Sequence, residues 1–391
     1  MSLSLFVALV LSTPLVRDGG AHMLVLGLLL ALSLRFHVGL AAVIALLFVG
    51  VDLRATYIGA GYSDVGVVTL AAIERAFAGG NPYGVGYDIS SPPGSPFAYG
   101  PLTLLWYLAP VNPRMVELVV SFAILTMLAL RGRPLGLAIF AASPVLAQVA
   151  SDGSNDTSAG LLLLIGLVTL ARAPRAGAFV VGLAIAFKPY ALAWAPPIVA
   201  WGGLMALLPL VLGAGLLWLP AILLWGAGSI VESFRLADAT KPDPFYALGH
   251  ALRRFGVNAT RELLDTFRFV AGGLTTLAVL PAVRSHRAVV IGGTLIFVAT
   301  LYSGWWATFA YLAAIAPVVC WYVDEWLGWS GRVRWPTDPW ATMTAAVDRR
   351  WPLRQPGAPD AAADEPSPTE PSPTERSDQP DVESNDQRRK P

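Results

Sequence analysis

Long apolar runs alternate with short polar breaks along most of the chain, and they predict membrane-crossing helices at roughly 3–16, 21–34, 37–51, 113–130, 134–150, 157–171, 204–225, 268–283, 288–302 and 305–323. Arg131 and Arg133, Arg172 and Arg175, Arg284 and Arg287, and the Arg-containing stretch after Trp329 mark the cytoplasmic side by the positive-inside rule, which places both termini there. Residues 176–201 break the alternation, because Lys188-Pro189-Tyr190 sits in their middle; they read as a hairpin of two half-helices with Lys188 at the tip. Met1 to Val16 has no cationic leader and reads as a first span, not as a removed signal.

This topology puts three polar segments, 52–112, 151–156 and 226–267, on the outer face. In the first, Val67, Leu70, Ile73 and Phe77 share a face, which predicts a helix lying on the membrane surface that stops at Gly79-Gly80 before the turn Asn81-Pro82-Tyr83-Gly84. In the third, Pro244 opens a second such helix, with Phe245, Leu248, Leu252 and Phe255 on one face and His250, Arg253 and Arg254 on the other. That basic face could hold a lipid phosphate or simply anchor the helix to anionic lipid.

Composition agrees with the pattern. Of 391 residues 55% are hydrophobic and only 14% charged, which describes an all-α polytopic membrane protein of about ten spans with a re-entrant hairpin and interfacial helices. A net charge of +1 gives no reason to expect nucleic acid as a partner. The lone Cys320 lies in an apolar run and reads as an inert buried thiol. Residues 1–330 form the membrane domain. Residues 331–391 form a cytoplasmic tail; its Pro-, Ser- and acid-rich part, with Pro-Ser-Pro-Thr-Glu repeated, lacks the side chains to build a core and is expected to be disordered.

A few polar residues carry candidate chemistry. Asp64 follows a span and precedes the surface helix; it could be a general base, or a helix N-cap shared with Ser63, and Asp52 is its rival. Lys188 near membrane depth needs a partner: a phosphate, Asp152 or Asp156, or water reached by snorkelling. Asp152 and Asp156, four apart, would share one side of a helical turn and could bind an acceptor, orient a water or hold a cation, while Asn155 or Asp156 could equally cap the next helix. Two carboxylates and an Asn make a thin metal site, so neither a metal nor a cofactor is assigned. Trp305 and Trp306 could stack a sugar or belong to an aromatic belt.

The order of these features resembles a known family. An acid after a span, then Asn81-Pro82-Tyr83, then Tyr99-Gly100-Pro101 opening the next apolar run, then Ser154-Asn155-Asp156 before Leu161–Leu170, and Gly182-Leu183-Ala184 leading to Lys188-Pro189-Tyr190, is similar to the GT-C glycosyltransferases, and more closely to glycosyltransferase family 87. The resemblance covers roughly residues 36–320. It departs where relatives often place His beside a Trp before the last span, since here the sequence is Ser303-Gly304-Trp305-Trp306.

The resemblance implies a GT-C fold and a hexosyltransferase that moves a sugar, expected to be mannose, from a polyprenyl-phosphate donor to an extracytoplasmic glycan or glycolipid, with membrane lipid around it. Asp64 matches the position of the family's general base, and a single base fits inversion. Lys188, with Arg253, Arg254 and His250, would hold the donor phosphate; Asn81, Tyr83, Tyr99, Asp152, Asn155, Asp156, Trp305 and Trp306 would meet the acceptor or the sugar. A transporter or flippase for a lipid-linked or small polar substrate is the other reading, and an inactive scaffold a third.

Overall fold

The computed structural model describes residues 39–328, apart from 60, 109–111 and 242, together with position 345. The expected spans 3–16 and 21–34 and the expected tail lie outside these residues. Among the described residues the regular structure is helical, save for one two-residue ladder pairing β1 (Gly86–Tyr87) antiparallel with β2 (Ser95–Pro96) and an isolated bridge between Phe245 and Trp306.

In chain order the helices are α1 (Gly39–Tyr57), α2 (Asp64–Phe77), α3 (Pro101–Trp106), α4 (Pro113–Arg131), α5 (Pro134–Ala142), α6 (Pro144–Ser151), α7 (Asp156–Leu170) and α8 (Pro174–Phe187). A 3-10 turn, Pro189–Trp194, leads to α9 (Ala195–Gly202), α10 (Leu204–Trp225), α11 (Ala227–Ala239), α12 (Leu248–Arg254), α13 (Arg261–Val279), α14 (His286–Tyr302) and α15 (Ala310–Trp326). Proline opens α3, α4, α5, α6 and α8, where its missing N–H costs nothing and its fixed φ suits the first helical position.

Three helical stretches are long and apolar enough to cross a membrane, Pro113–Arg131, Leu204–Trp225 and Arg261–Ala282, and the pair α5 and α6 makes a fourth if counted as one span. The described residues therefore support a membrane protein with fewer full-length spans than the expected series. The run 134–150 is not one rod: α5 and α6 meet at 60° at Ser143-Pro144. The runs at 157–171 and 288–302 are the shorter apolar helices α7 and α14. The expected span 268–283 begins earlier, at Arg261, where Thr260 caps it by accepting from the amide of Leu263. The expected span 305–323 begins later, at Ala310, because the amide of Ala307 is spent on the carbonyl of Phe245. α1 continues past the expected end at 51 to Tyr57, so Asp52 lies within a helix.

Arg54 explains why α1 runs on and why the bend in α5–α6 is tolerated. Pro144 has no N–H to offer the carbonyl of Phe140, which a straight helix would have satisfied. Arg54, fully buried, supplies the missing donors: Nη2 to Phe140 O at 3.3 Å, Nη1 to Ala141 O at 3.4 Å and to Gly50 O at 2.9 Å, and Nε to Ser121 Oγ at 2.6 Å. A guanidinium fork suits two adjacent carbonyls in a way that a single ammonium does not.

The chain reverses at Lys188, as Pro189 predicts. Arg175 at the start of α8 and Met205 at the start of α10 meet, Nη2 to Sδ, at 3.1 Å, so everything between them leaves one end of the bundle and returns to it. α8 and α10 then pack backbone to backbone through Gly182 and Gly213: a Cβ on Gly182 would strike the carbonyl of Leu210, and one on Gly213 that of Phe179. The opposite side of α10 presents Leu204, Leu208, Leu212, Leu216, Leu219 and Leu223 outward, each more than half exposed, an apolar stripe that suits lipid.

A helix is present at each of the two positions where one was expected to lie on the membrane surface, and each differs from the expectation. α2 buries Val68, Thr69, Ala72 and Ile73 against the protein while Leu70 and Phe77 stay exposed, so the expected apolar face is divided between core and surroundings. The second helix shrinks to seven residues, because Phe245 forms a bridge with Trp306 instead of starting the helix.

Candidate functional site

The site is assembled at the N-termini of two helices. The turn Asp152-Gly153-Ser154, made possible by Gly153 at φ +83°, docks on the start of α2, where the amide of Ser63 donates to the carbonyl of Asp152 at 2.9 Å. This brings Asp64, first residue of α2, towards Asp156, first residue of α7, so both carboxylates sit at positive helix ends. Asp152 and Asp156 do not share a helical turn as their spacing predicted. Asp152 closes α6 and Asp156 opens α7, with the turn between them.

The cap of α2 is Ser63, whose Oγ accepts from the amide of Gly66 at 3.3 Å, so Asp64 is not needed for that task. Asp64 is accessible at the surface, yet desolvation by surrounding protein raises its pKa above the usual carboxylate value; the amide of Val65 and the charges of Lys241 and Lys188 pull the other way. Asp152 is pushed up to about 6, first by burial and then by the nearby Asp156 and Asp64, although Ser154 opposes this by donating its amide to Oδ1 at 2.8 Å.

Beneath Asp64 the polar groups are buried and paired. Asp156 Oδ1 accepts from Lys188 Nζ at 2.8 Å and from the Tyr190 hydroxyl at 2.8 Å, and Lys188 lies between the rings of Tyr99 at 5.0 Å and Tyr190 at 5.4 Å. Of the partners weighed for Lys188, the structure supplies Asp156. Deeper still, Glu117 on α4 is fully buried and accepts from the hydroxyls of Tyr107 and Ser158 and from the amide of Ser158 at 3.0 Å. Sequence reasoning passed over Glu117, although a single acid within the apolar run of α4 was a visible signal.

Lys241 is the second residue missed. It follows α11, with Nζ 3.9 Å over the ring of Trp306, and its pKa is lowered to about 8 by burial, against the opposing pull of Asp238 and Asp64. Its signal was scarcity: the chain has three lysines, Lys188, Lys241 and Lys390, and two of them meet here. Trp306 also lies 6.2 Å from Tyr311, which lies 5.7 Å from Tyr190, so an aromatic strip joins the two ammonium groups.

The remaining candidates divide. Tyr99 is held over Lys188 because the amide of Gly100 and the hydroxyl of Thr103 both donate to the carbonyl of Phe187. Asn81 and Tyr83 act one layer back. Asn81 Oδ1 accepts from the amide of Tyr83 and its Nδ2 donates to Trp225 O at 3.0 Å, while the buried Tyr83 donates its hydroxyl to the carbonyl of Tyr99 at 3.1 Å. Asn155 stands at the N-cap position of α7 but makes no capping bond; its side chain is buried and neither amide atom has a hydrogen-bond partner. Arg253 pairs with Asp243 at 3.0 Å and lies 5.5 Å from the ring of Trp305. Arg254 and His250 are exposed on α12, and no side-chain hydrogen bond or ion pair among the described residues ties either to the Asp64 cluster.

Among the described residues no group of three or more His, Cys, Asp or Glu is arranged to hold a metal ion. Comparison with protein-family models, with curated proteins and with solved structures gives no match.

Proposed function

We propose that this chain is a membrane glycosyltransferase of the GT-C type, moving a hexose, expected to be mannose, from a polyprenyl-phosphate donor to an extracytoplasmic glycan or glycolipid at the cell membrane. The observation that carries the reading is Asp64, an accessible but desolvated carboxylate within electrostatic reach of two lysines that an aromatic strip joins. A raised pKa makes a better base, and a base is what the transfer requires. The acceptor oxygen attacks the anomeric carbon, its proton passes to Asp64, and the bond to the phosphate breaks with its electron pair leaving on polyprenyl phosphate. Attack opposite the leaving group inverts the anomeric centre.

The decisive experiment is sugar transfer by purified protein in lipid, with radiolabelled polyprenyl-phosphate-mannose, membrane glycolipid extract and the Asp64→Asn variant beside wild type. Product from wild type alone supports the reading; product from a folded Asp64→Asn variant at the wild-type rate would overturn it. A second reading, a transporter for a lipid-linked or small polar substrate, draws on the buried Lys188–Asp156 pair and Glu117, because ionisable groups at span depth often line a route. A transporter should tolerate Asp64→Asn, whereas an enzyme should not.

A further inference from the structure

We propose that Lys241, not Lys188, is the cation that holds the donor phosphate. This rests on the glycosyltransferase reading and assigns the group within it.

Charge balance separates the two lysines. Lys188 is 3% exposed and its ammonium is already matched by Asp156 at 2.8 Å, so a phosphate brought to it would also meet a carboxylate that is 1% exposed and has nowhere to go. A buried pair of this kind is neutral to an incoming anion. Four arginines in and beside the third polar segment are engaged too: Arg235 with Glu232, Arg253 with Asp243, Arg261 with Asp238, and Arg268 with Asp265.

Lys241 differs from all of these. It forms no ion pair among the described residues: Asp238, itself paired with Arg261 at 2.8 Å, and Asp64 act on it only from beyond ion-pair distance, and its ammonium rests 3.9 Å over the Trp306 ring. A ring face attracts a cation without neutralising it, which leaves the other side of the ammonium to an anion. A compact ammonium suits a phosphate oxygen as a point charge.

Its position is also fixed. The amide of Lys241 donates to Asp238 O at 3.2 Å, and its carbonyl accepts from Arg261 at 3.3 Å, which holds the stem at the end of α11. A phosphate on Lys241 puts its sugar beside Trp306, on the strip through Tyr311 to Tyr190, with Asp64 within electrostatic reach of the same ammonium. Phosphate, sugar and base then gather around one ammonium, the proximity that a displacement needs.

The test is equilibrium binding of polyprenyl phosphate, and separately of uncharged polyprenol, to purified wild type, Lys241→Gln and Lys241→Met, each first shown to unfold thermally as wild type does. Met keeps an apolar stem on the Trp306 face, so it guards against a packing effect. The expected result is at least a tenfold loss of affinity for polyprenyl phosphate in both variants, with polyprenol binding unchanged. Wild-type affinity for polyprenyl phosphate in both variants would overturn the assignment and leave the enzyme reading intact. A wild type that does not distinguish polyprenyl phosphate from polyprenol would overturn the donor reading and the assignment with it.

Discussion

The amide of Ser63 and the carbonyl of Asp152 are joined by a 2.9 Å hydrogen bond, and this contact couples α2 to the turn between α6 and α7. Since Ser63 also caps α2, the residue after it is released from a structural duty that its position would suggest. Asp64→Asn is therefore expected to keep its thermal unfolding temperature within the error of wild type while transfer falls by about 10²–10⁴-fold, the usual worth of a positioned general base. A variant that loses stability in step with activity would assign Asp64 to the scaffold.

The rate should depend on pH in two directions. Asp64 must be ionised to take a proton, and its pKa is raised, so activity is lost on acidification at a pH above the ordinary Asp value of about 3.9. Lys241 must be protonated to hold phosphate, and burial lowers it to about 8, so activity is lost again as pH rises through that region. The charges of Asp152, Lys188 and Lys241 act on Asp64, while those of Asp238, Asp64, Arg261 and Arg268 act on Lys241, and these groups shape both limbs. A kcat/KM profile measured from pH 4 to 10 checks the prediction, and Lys241→Arg should move only the alkaline limb upward.

Asp152 offers a stability test with the opposite sign to most surface acids. Its folded pKa is raised from 3.8 to about 6, so the fold disfavours its charged form, and this penalty is absent at low pH and complete above about 6. Wild type should lose stability as pH rises through that window. Asp152→Asn keeps an oxygen to accept the Ser154 amide and removes the charge, so at pH 7 it should unfold at a higher temperature than wild type, and at pH 4 the two should converge.

The pair Lys188–Asp156 should behave as a buried unit. Removing either charge alone leaves the other unpaired, at a cost of about 3–5 kcal/mol, whereas Lys188→Met with Asp156→Leu should cost less than the sum of the two single changes. A thermal double-mutant cycle in detergent measures the coupling. Simple additivity would mean that the pair is not a pair in solution.

Arg54 should resist even conservative change. Arg54→Lys loses the fork across Phe140 O and Ala141 O, and Arg54→Met loses every donor; each carbonyl or hydroxyl left buried and unsatisfied costs about 1–3 kcal/mol. The expected order of thermal stability is wild type, then Lys, then Met.

Local chemistry was legible in the sequence wherever a single residue decides it. Pro189 cannot donate to the helix before it, so the reversal at Lys188 could be read directly, and Gly79 with φ +79° marks the end of α2 as its sequence suggests. Relationships set by distant partners were not legible. Nothing around Phe245 announces that it will pair with Trp306 and shorten α12, and nothing in 134–150 shows that Arg54 will support a bend there. Lys241 was overlooked because its importance comes from Trp306 and Asp64, which reach it only through the fold. For Lys188, burial cost alone correctly demanded a partner but could not choose among those available.

The contact between Gly182 and the backbone of α10 also sets a phase. From that contact α8 runs a fixed number of residues to Lys188, so the helix acts as a ruler and as a protractor, delivering the ammonium at one height and one azimuth. One alanine inserted between Gly182 and Phe187 would lengthen the ruler by about 1.5 Å but turn its end by about 100°. Lys188 would then point away from Asp156 with every residue of the site still present. The bundle thus stores the geometry of its polar centre as an angle measured from a glycine.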